Sequence, residues 1–357
     1  MIQPPMDFFC QSLPGRVRFA NGCIAQTGNE LQELGIAQAL VLCTPRQRTA
    51  ALALIDRLGP RAAGLFDQAA MHVPVDGVVR ARELVVQTAA DGVLAYGGGS
   101  TVGLAKAIAL ETGLPIVAVP TTYAGSEMTP IYGLTEGGLK RTGRDPRVLP
   151  RSVLYDPTLT LELPLALSIS SGLNAIAHAA EGLYARDGNP VLGLMAEEGI
   201  RALAQGLAGL LADARELRAR ADCLYGAWLC GSVLGQAGMA LHHKLCHVLG
   251  GAFHLPHAQT HAVMLAHTLA YNAPAAPQAM ARIARALDCR DGPRGVQELA
   301  LRLGAPMALR DIGMDATGLD RALELALQNP YWNPRPLERD ALRGLLRRAW
   351  SGDPVAA

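Results

Sequence analysis

The residues best suited to chemistry are crowded into one stretch. Of nine histidines, seven fall between His242 and His267 (242, 243, 247, 254, 257, 261 and 267). His243 and His247 are four apart, so a helix would show both on one face. Gly250-Gly251 is expected to end that helix. His257 follows Pro256 and opens the next apolar segment, so the chain can fold back and bring it near the pair. Far upstream, Asn174 and His178 are also four apart. Two helical pairs and one loop histidine have the layout of a metal site with one ligand changed. Ordinary polar or core histidines are the plainer reading, which suits a lone histidine better than this cluster. Imidazoles so grouped can donate hydrogen bonds and move protons near neutral pH.

A second group of residues could hold a phosphate. Gly97-Gly98-Gly99-Ser100 follows an apolar run and opens a helical pattern. Glycines let backbone N–H groups approach an anion, and a helix N-terminus favours it. The spacing is not the GxGxxG fingerprint, so a tight structural turn is the alternative. The next apolar run exits at Pro120-Thr121-Thr122-Tyr123-Ala124-Gly125-Ser126-Glu127. Two strand ends offering glycine and hydroxyl groups on one sheet edge mark a ligand site in α/β folds, where Thr121 and Thr122 could hold a diphosphate or a nicotinamide. An earlier strand exits at Thr44-Pro45-Arg46-Gln47 with no acidic residue for ribose hydroxyls. Arg46 there could attract a 2′-phosphate, or simply be solvated.

The elements that must position these groups change character along the chain. Up to about residue 160, short apolar runs (39–44, 92–96, 115–119) alternate with helical segments, and Pro14–Gly22 and Gly64–Phe66 read as further strands. Wholly apolar strands are buried on both faces, so this half should be a parallel sheet with helices around it. Beyond residue 160 only helical periodicity remains, over 174–186, 191–211, 215–238, 241–249, 258–271, 276–287, 294–303, 317–327 and 337–350. The expected architecture is α/β over 1–160, Rossmann-like, and all-α over 161–357.

Composition narrows the function classes. Half of the 357 residues are apolar and the net charge is +1, so no strong field draws the chain to nucleic acid or to an anionic membrane. No apolar run reaches ~18 residues, which predicts no membrane span. The start of the chain lacks the basic and apolar parts of a signal peptide. Seven scattered cysteines fit reduced thiols in a cytoplasm.

The strand followed by GGGS, the PTTYAGSE segment, the Asn174/His178 pair and the HHKLCH…LPH block, in that order, resemble the iron-containing alcohol dehydrogenase superfamily, in its maleylacetate reductase branch. The resemblance covers nearly the whole chain, including Asn329–Arg335. It implies a dinucleotide domain and a helical domain with the active site in the cleft between them. It further implies reduction of maleylacetate to 3-oxoadipate with NADH or NADPH in aromatic-compound degradation, by a homodimer. The cofactor would be held by Thr44, Arg46, Gly97, Gly98, Gly99, Ser100, Thr121, Thr122 and Ser126.

The superfamily's metal is held by one aspartate and three histidines. His178, His243 and His257 match the histidines; Asn174 stands where the aspartate would be, and His247 matches an active-site histidine that is not a ligand. A neutral amide is a poor ligand for Fe²⁺ or Zn²⁺, so loss of the metal is expected, although three histidines alone can still hold zinc. Reduction of a conjugated enone makes a delocalised enolate, which N–H donors can stabilise and an acid can quench. His243, His247 and Lys244 are the expected catalytic donors. Asn174, His178, His257 and Arg335 are expected to bind the dicarboxylate substrate, with Lys140, Arg144 and Arg147 of a basic loop as further cations. The alternatives are a metal-dependent alcohol or polyol dehydrogenase of the same superfamily, a dehydroquinate-synthase-like lyase, and a nucleotide-binding module without catalysis.

Overall fold

The computed structural model describes residues 15–136 and 139–355, with only the backbone of 139–140. The chain divides into two compact units, one over Ser12–Leu163 and one over Pro164–Ala357.

In the first unit, strands β1 (Arg16–Phe19), β2 (Ala39–Leu42), β3 (Ala62–Phe66), β4 (Gly92–Gly97), β5 (Ile116–Pro120) and β8 (Ser152–Tyr155) form one sheet in the order β1-β8-β5-β4-β2-β3, with every pairing parallel. Helices α1 (Thr27–Glu33), α2 (Arg48–Leu58), α3 (Val75–Gln87) and α4 (Gly99–Thr112) connect the strands. β2, β4 and β5 are buried at every position, as apolar strands covered on both faces must be. From β2 the chain goes to β3 on one side, then crosses to β4 on the other. That reversal puts the switch point of the sheet at the carboxyl ends of β2 and β4, where ligands bind in such folds.

Residues expected to form a basic loop form a hairpin instead. β6 (Ile131–Glu136) pairs antiparallel with β7 (Leu139–Arg144), register Ile131↔Arg144. β6, with sequence IYGLTE, is half-exposed along most of its length, so it lacks the long apolar run that makes a buried strand visible in sequence. Lys106 anchors the approach to it. Its ammonium is buried and donates to the carbonyls of Ser126, Thr129 and Ile131 at 2.7–2.8 Å. Of the expected cations, Arg147 pairs with Asp145 at 2.7 Å, Arg144 ends β7, and the Lys140 side chain lies outside the described residues.

The second unit is helical: α5 (Leu165–Gly182), α6 (Pro190–Ala212), α7 (Leu217–Gln236), α8 (Leu241–Phe253), α9 (His257–Asn272), α10 (Pro277–Ala286), α11 (Gly292–Arg302), α12 (Leu319–Leu327) and α13 (Arg339–Ser351). Small residues let α6 and α7 pack closely. A Cβ on Gly206 would stand 2.7 Å from Cys223 Sγ and 2.8 Å from the Cys223 amide. Leu241, Leu245 and Leu249 form the buried stripe of α8, packed with Val263 and Met264 of α9, Leu323 of α12 and Leu342, Leu345 and Leu346 of α13. With that stripe fixed, helical geometry directs His243 and His247 to the opposite side and His242 and Cys246 to a third.

Gly250-Gly251 does not stop α8, contrary to expectation. The helix continues to Phe253 and ends at His254, which takes the left-handed conformation (φ 56°). Two glycines permit an ending without requiring one. Pro256, at the start of α9, fixes the turn that follows.

Candidate functional site

The first site element is the switch point. Gly98 precedes α4 with no side chain capping the helix; Thr101 and Val102 donate their amides to the Gly98 carbonyl, which leaves the Gly99 and Ser100 amides of the first turn to face an anion. The backbone there is closely fitted. A Cβ on Gly97 would meet Thr101 Oγ1 at 2.4 Å and Gln47 Oε1 at 2.8 Å; one on Gly98 would meet Thr122 Cγ2 at 2.7 Å and Oγ1 at 2.8 Å. Gly99 has no such neighbour, and Ser100 lies in the first turn of α4. Gln47 ties the exits of β2 and β5 together: it accepts from Thr44 Oγ1 at 3.1 Å and donates to Thr121 Oγ1 at 2.8 Å. The buried Thr101 hydroxyl beside Gly97 makes no hydrogen bond. Arg46 is exposed in the turn after β2, and Ser126 opens a short turn beyond Thr122. The switch point thus brings together Thr44, Gly97, Gly98, Thr121 and Thr122. Gln47 and Thr101 join them and were not anticipated. Gln47 stands three residues after Thr44, inside the same turn, and that spacing was the available signal.

The second element is the histidine cluster. α5 presents Asn174, His178 and Glu181, all buried, at successive helical turns of one face. Asn174 Nδ2 lies 3.3 Å from His178 Nε2, His178 Nδ1 lies 2.8 Å from His243 Nε2, and His243 Nδ1 lies 2.6 Å from Glu181 Oε2. Glu181 also accepts from the backbone N–H groups of Ala240, His242 and His243 at 3.0, 2.8 and 3.3 Å, the orphan donors at the start of α8, where negative charge is favoured. Burial alone would raise the Glu181 carboxyl; the hydrogen bond from His243, the charge of His243 and the Ala240 amide outweigh it and hold it at about 2.

An anionic Glu181 fixes the hydrogen positions. It must receive Nδ1–H from His243, so in neutral His243 Nε2 is the acceptor. His178 then donates from Nδ1 and accepts the Asn174 amide at Nε2. Asn174 Oδ1 is left without a partner.

His261 lies at the centre of the cluster. Its ring centroid is 4.5 Å from that of His257, 4.8 Å from His242, 5.0 Å from His243 and 6.1 Å from His178. His247, exposed on α8, lies 6.2 Å from His243 and stacks on His257 at 6.5 Å. Burial and the neighbouring histidine charges keep His242 neutral, with its pKa pushed down to about 3, and push His261 down in the same way.

The structure therefore gathers Asn174, His178, His243, His247 and His257, as the sequence suggested, and adds Glu181, His242 and His261. Lys244 and Arg335 have other neighbours. Lys244 donates to Gln328 O at 3.0 Å and sits over the Tyr331 ring. Arg335 donates to Tyr271 O at 3.1 Å and stacks on Tyr271.

Comparison with known proteins gives this geometry a context. Residues 14–157 match the family described as iron-containing alcohol dehydrogenase, and residues 168–350 the Fe-containing alcohol dehydrogenase family, C-terminal. A maleylacetate reductase of Burkholderia cepacia is 58% identical over 94% of this chain and 96% of its own length. One of Sphingobium indicum is 55% identical over 98% and 99%. The crystal structure of maleylacetate reductase from Rhizobium sp. strain MTP-10005 superposes with a TM-score of 0.95 at 51% identity, covering 98% of this chain and 99% of that one.

Proposed function

The chain belongs to the iron-containing alcohol dehydrogenase family, and from that premise we propose that it acts as a maleylacetate reductase. It would reduce the conjugated C=C bond of maleylacetate to give 3-oxoadipate, with NADH or NADPH, in the degradation of aromatic compounds. The observation that carries the chemistry is the buried chain Asn174–His178–His243–Glu181.

The nucleotide fits the switch point. The α4 N-terminus with Gly97, Gly98, Gly99 and Ser100 would take the diphosphate. Thr121, Thr122 and Ser126 would hold the nicotinamide end, Thr44 the adenosine end, and exposed Arg46 the 2′-phosphate of NADPH. When bound, the reduced nicotinamide supplies the hydride.

The family's metal does not fit. Asn174 offers a neutral amide where the ion needs an anion. Glu181, the carboxylate of the cluster, is committed to His243 and three amides. Among the described residues, the convergent set of three metal-ligating side chains is His242, Cys246 and His261, not His178, His243 and His257. We therefore assign the work to hydrogen-bond donors.

Maleylacetate has a C=C bond conjugated to its ketone. Addition of hydride at the carbon β to the ketone moves the electron pair to the oxygen as an enolate. The imidazole of His247, exposed on α8, would donate to that oxygen and act as the acid for the α carbon, while His243, held between Glu181 and His178, would relay protons along the buried chain. The amide at 174 suits this task. It can donate to His178 in one state of the chain and, by turning over, accept from it in the other, whereas a carboxylate could only accept. His257 and Arg335 would meet the two substrate carboxylates, and Lys244 would add positive potential; Asn174 and His178, expected there from sequence, have their donors committed to the buried chain instead.

The test is oxidation of NADH and of NADPH by the purified chain with freshly made maleylacetate, with the product identified by chromatography. Formation of 3-oxoadipate equal to the cofactor consumed supports the proposal. No consumption with maleylacetate, but reduction of NAD⁺ by a simple alcohol once metal is added, would replace it with the dehydrogenase reading.

A further inference from the structure

His242, Cys246 and His261 are buried, and each offers a ligand atom within 4.8 Å of the other two. The first two are four residues apart on one stripe of α8; the third comes from α9, packed alongside. None of them occupies a position matched to the family's metal ligands. We propose that this trio is a binding site for a soft d¹⁰ cation, of the Zn²⁺ or Cd²⁺ class, distinct from the site implied by the family.

The hydrogen-bond network prepares one of the ligands. Thr268 Oγ1 spends its hydrogen on the carbonyl of Met264 or Leu265, at 3.0 and 2.9 Å. It must therefore accept from His242 Nδ1, 3.1 Å away. That leaves His242 Nε2 as a bare lone pair, oriented by a partner on its other nitrogen, which is how imidazole ligands are set up for metals. This Nε2 faces His261 Nδ1 at 2.9 Å and Cys246 Sγ at 3.7 Å. On a tetrahedral ion with bonds of ~2.3 Å to sulfur and ~2.1 Å to nitrogen, a sulfur and a nitrogen stand roughly 3.6 Å apart and two nitrogens roughly 3.4 Å apart. The sulfur is already placed, and the two rings must separate by about half an ångström.

The far side of His261 completes the argument. Its Nε2 is buried and makes no hydrogen bond. To ligate through Nδ1, His261 moves its proton to Nε2, a nitrogen that now has nothing to lose. The Cys246 thiol releases its proton to solvent and binds as thiolate. The site thereby has the anionic sulfur donor that Asn174 denies to the family's site, and soft ligands select such cations.

Occupancy would also act on turnover. The rings of His242 and His261 pack against His243 at 5.3 and 5.0 Å, so drawing them onto an ion displaces the neighbours of that residue. Only this inhibitory consequence rests on the proposed activity; binding does not.

The experiment titrates the chelator-treated full chain with Cd²⁺ and follows the ultraviolet thiolate-to-cadmium charge-transfer band. The band should saturate at one equivalent. Cys246→Ser should abolish it, His261→Gln should weaken binding at least about tenfold, and Asn174→Ala should leave it unchanged. Turnover should fall with the same titration in the parent chain and be spared in Cys246→Ser. Circular dichroism checks that each variant is folded, and His261→Gln decides the matter if Cys246→Ser is not. Absence of a saturating band, a band that survives Cys246→Ser, or binding unaffected by His261→Gln would overturn the proposal.

Discussion

Glu181 accepts the Nδ1–H of His243 at 2.6 Å while receiving three backbone N–H groups at the head of the helix that carries His243. One buried carboxylate thus sets both the tautomer of a proposed catalytic ring and the start of its helix. The arrangement makes Glu181 a positioning residue, and that role can be separated from a structural one. Glu181→Gln keeps an acceptor for the helix amides but loses the anion. Turnover should fall at least about tenfold with the Michaelis constant for NADH unchanged. Equal losses in both, or none in turnover, would show that Glu181 serves only the fold.

His247 is assigned the donor and acid role, and His243 the proton relay behind it. His243→Ala and His247→Ala should each lower turnover by about 10² or more, and neither should alter NADH affinity. His254, exposed at the end of α8, is the control, and His254→Ala should cost far less. Equal losses in all three variants would make the cluster a packing feature.

The cofactor cradle rests on how closely the backbone is approached. A side chain at position 98 would collide with Thr122, since even its Cβ would stand 2.7 Å from Cγ2, and it would fill the space a diphosphate needs. Gly98→Val should raise the Michaelis constant for the nicotinamide cofactor at least tenfold, or ~1.4 kcal/mol. Circular dichroism should show the fold retained. Unchanged cofactor kinetics would reduce the turn to a structural one.

Buried neutral histidines dictate an acid sensitivity. Burial pushes His242 down to about 3 and His267, which also faces Arg348, to about 4, from an ordinary 6.5. Between those values the unfolded chain binds protons that the folded chain does not. Stability is therefore full above about pH 6.5 and is lost as pH falls toward 4 and 3. The urea midpoint should drop over that window, and His267→Gln should flatten part of the slope. A midpoint independent of pH there would contradict the buried neutral state.

The sheet and the spacing of the site were legible in sequence for physical reasons. β2, β4 and β5 are short apolar runs because both faces of a parallel sheet are covered, and the 174/178 and 243/247 pairs declared themselves by helical spacing. The hairpin β6–β7 was not legible, because half-exposed strands need no apolar pattern. Glu181 was missed because it lies within an apolar helical run and reads as an interior position, and His242 and His261 were counted in the cluster but given no role of their own. Yet Glu181 follows His178 by three residues and His261 follows His257 by four, so each shares a face with a residue already singled out. The end of α8 could not be read at all, since the left-handed residue that closes it is a histidine and not one of two adjacent glycines.

The account turns on a site that works without the metal its family is named for, and one measurement tests this directly. Maleylacetate-dependent NADH oxidation is assayed on the chain before and after exhaustive chelation, with metal content determined alongside. The account predicts that turnover does not fall on chelation and that 3-oxoadipate forms stoichiometrically with less than one equivalent of iron bound. Activity that disappears with a stoichiometric metal and returns when it is restored would contradict it.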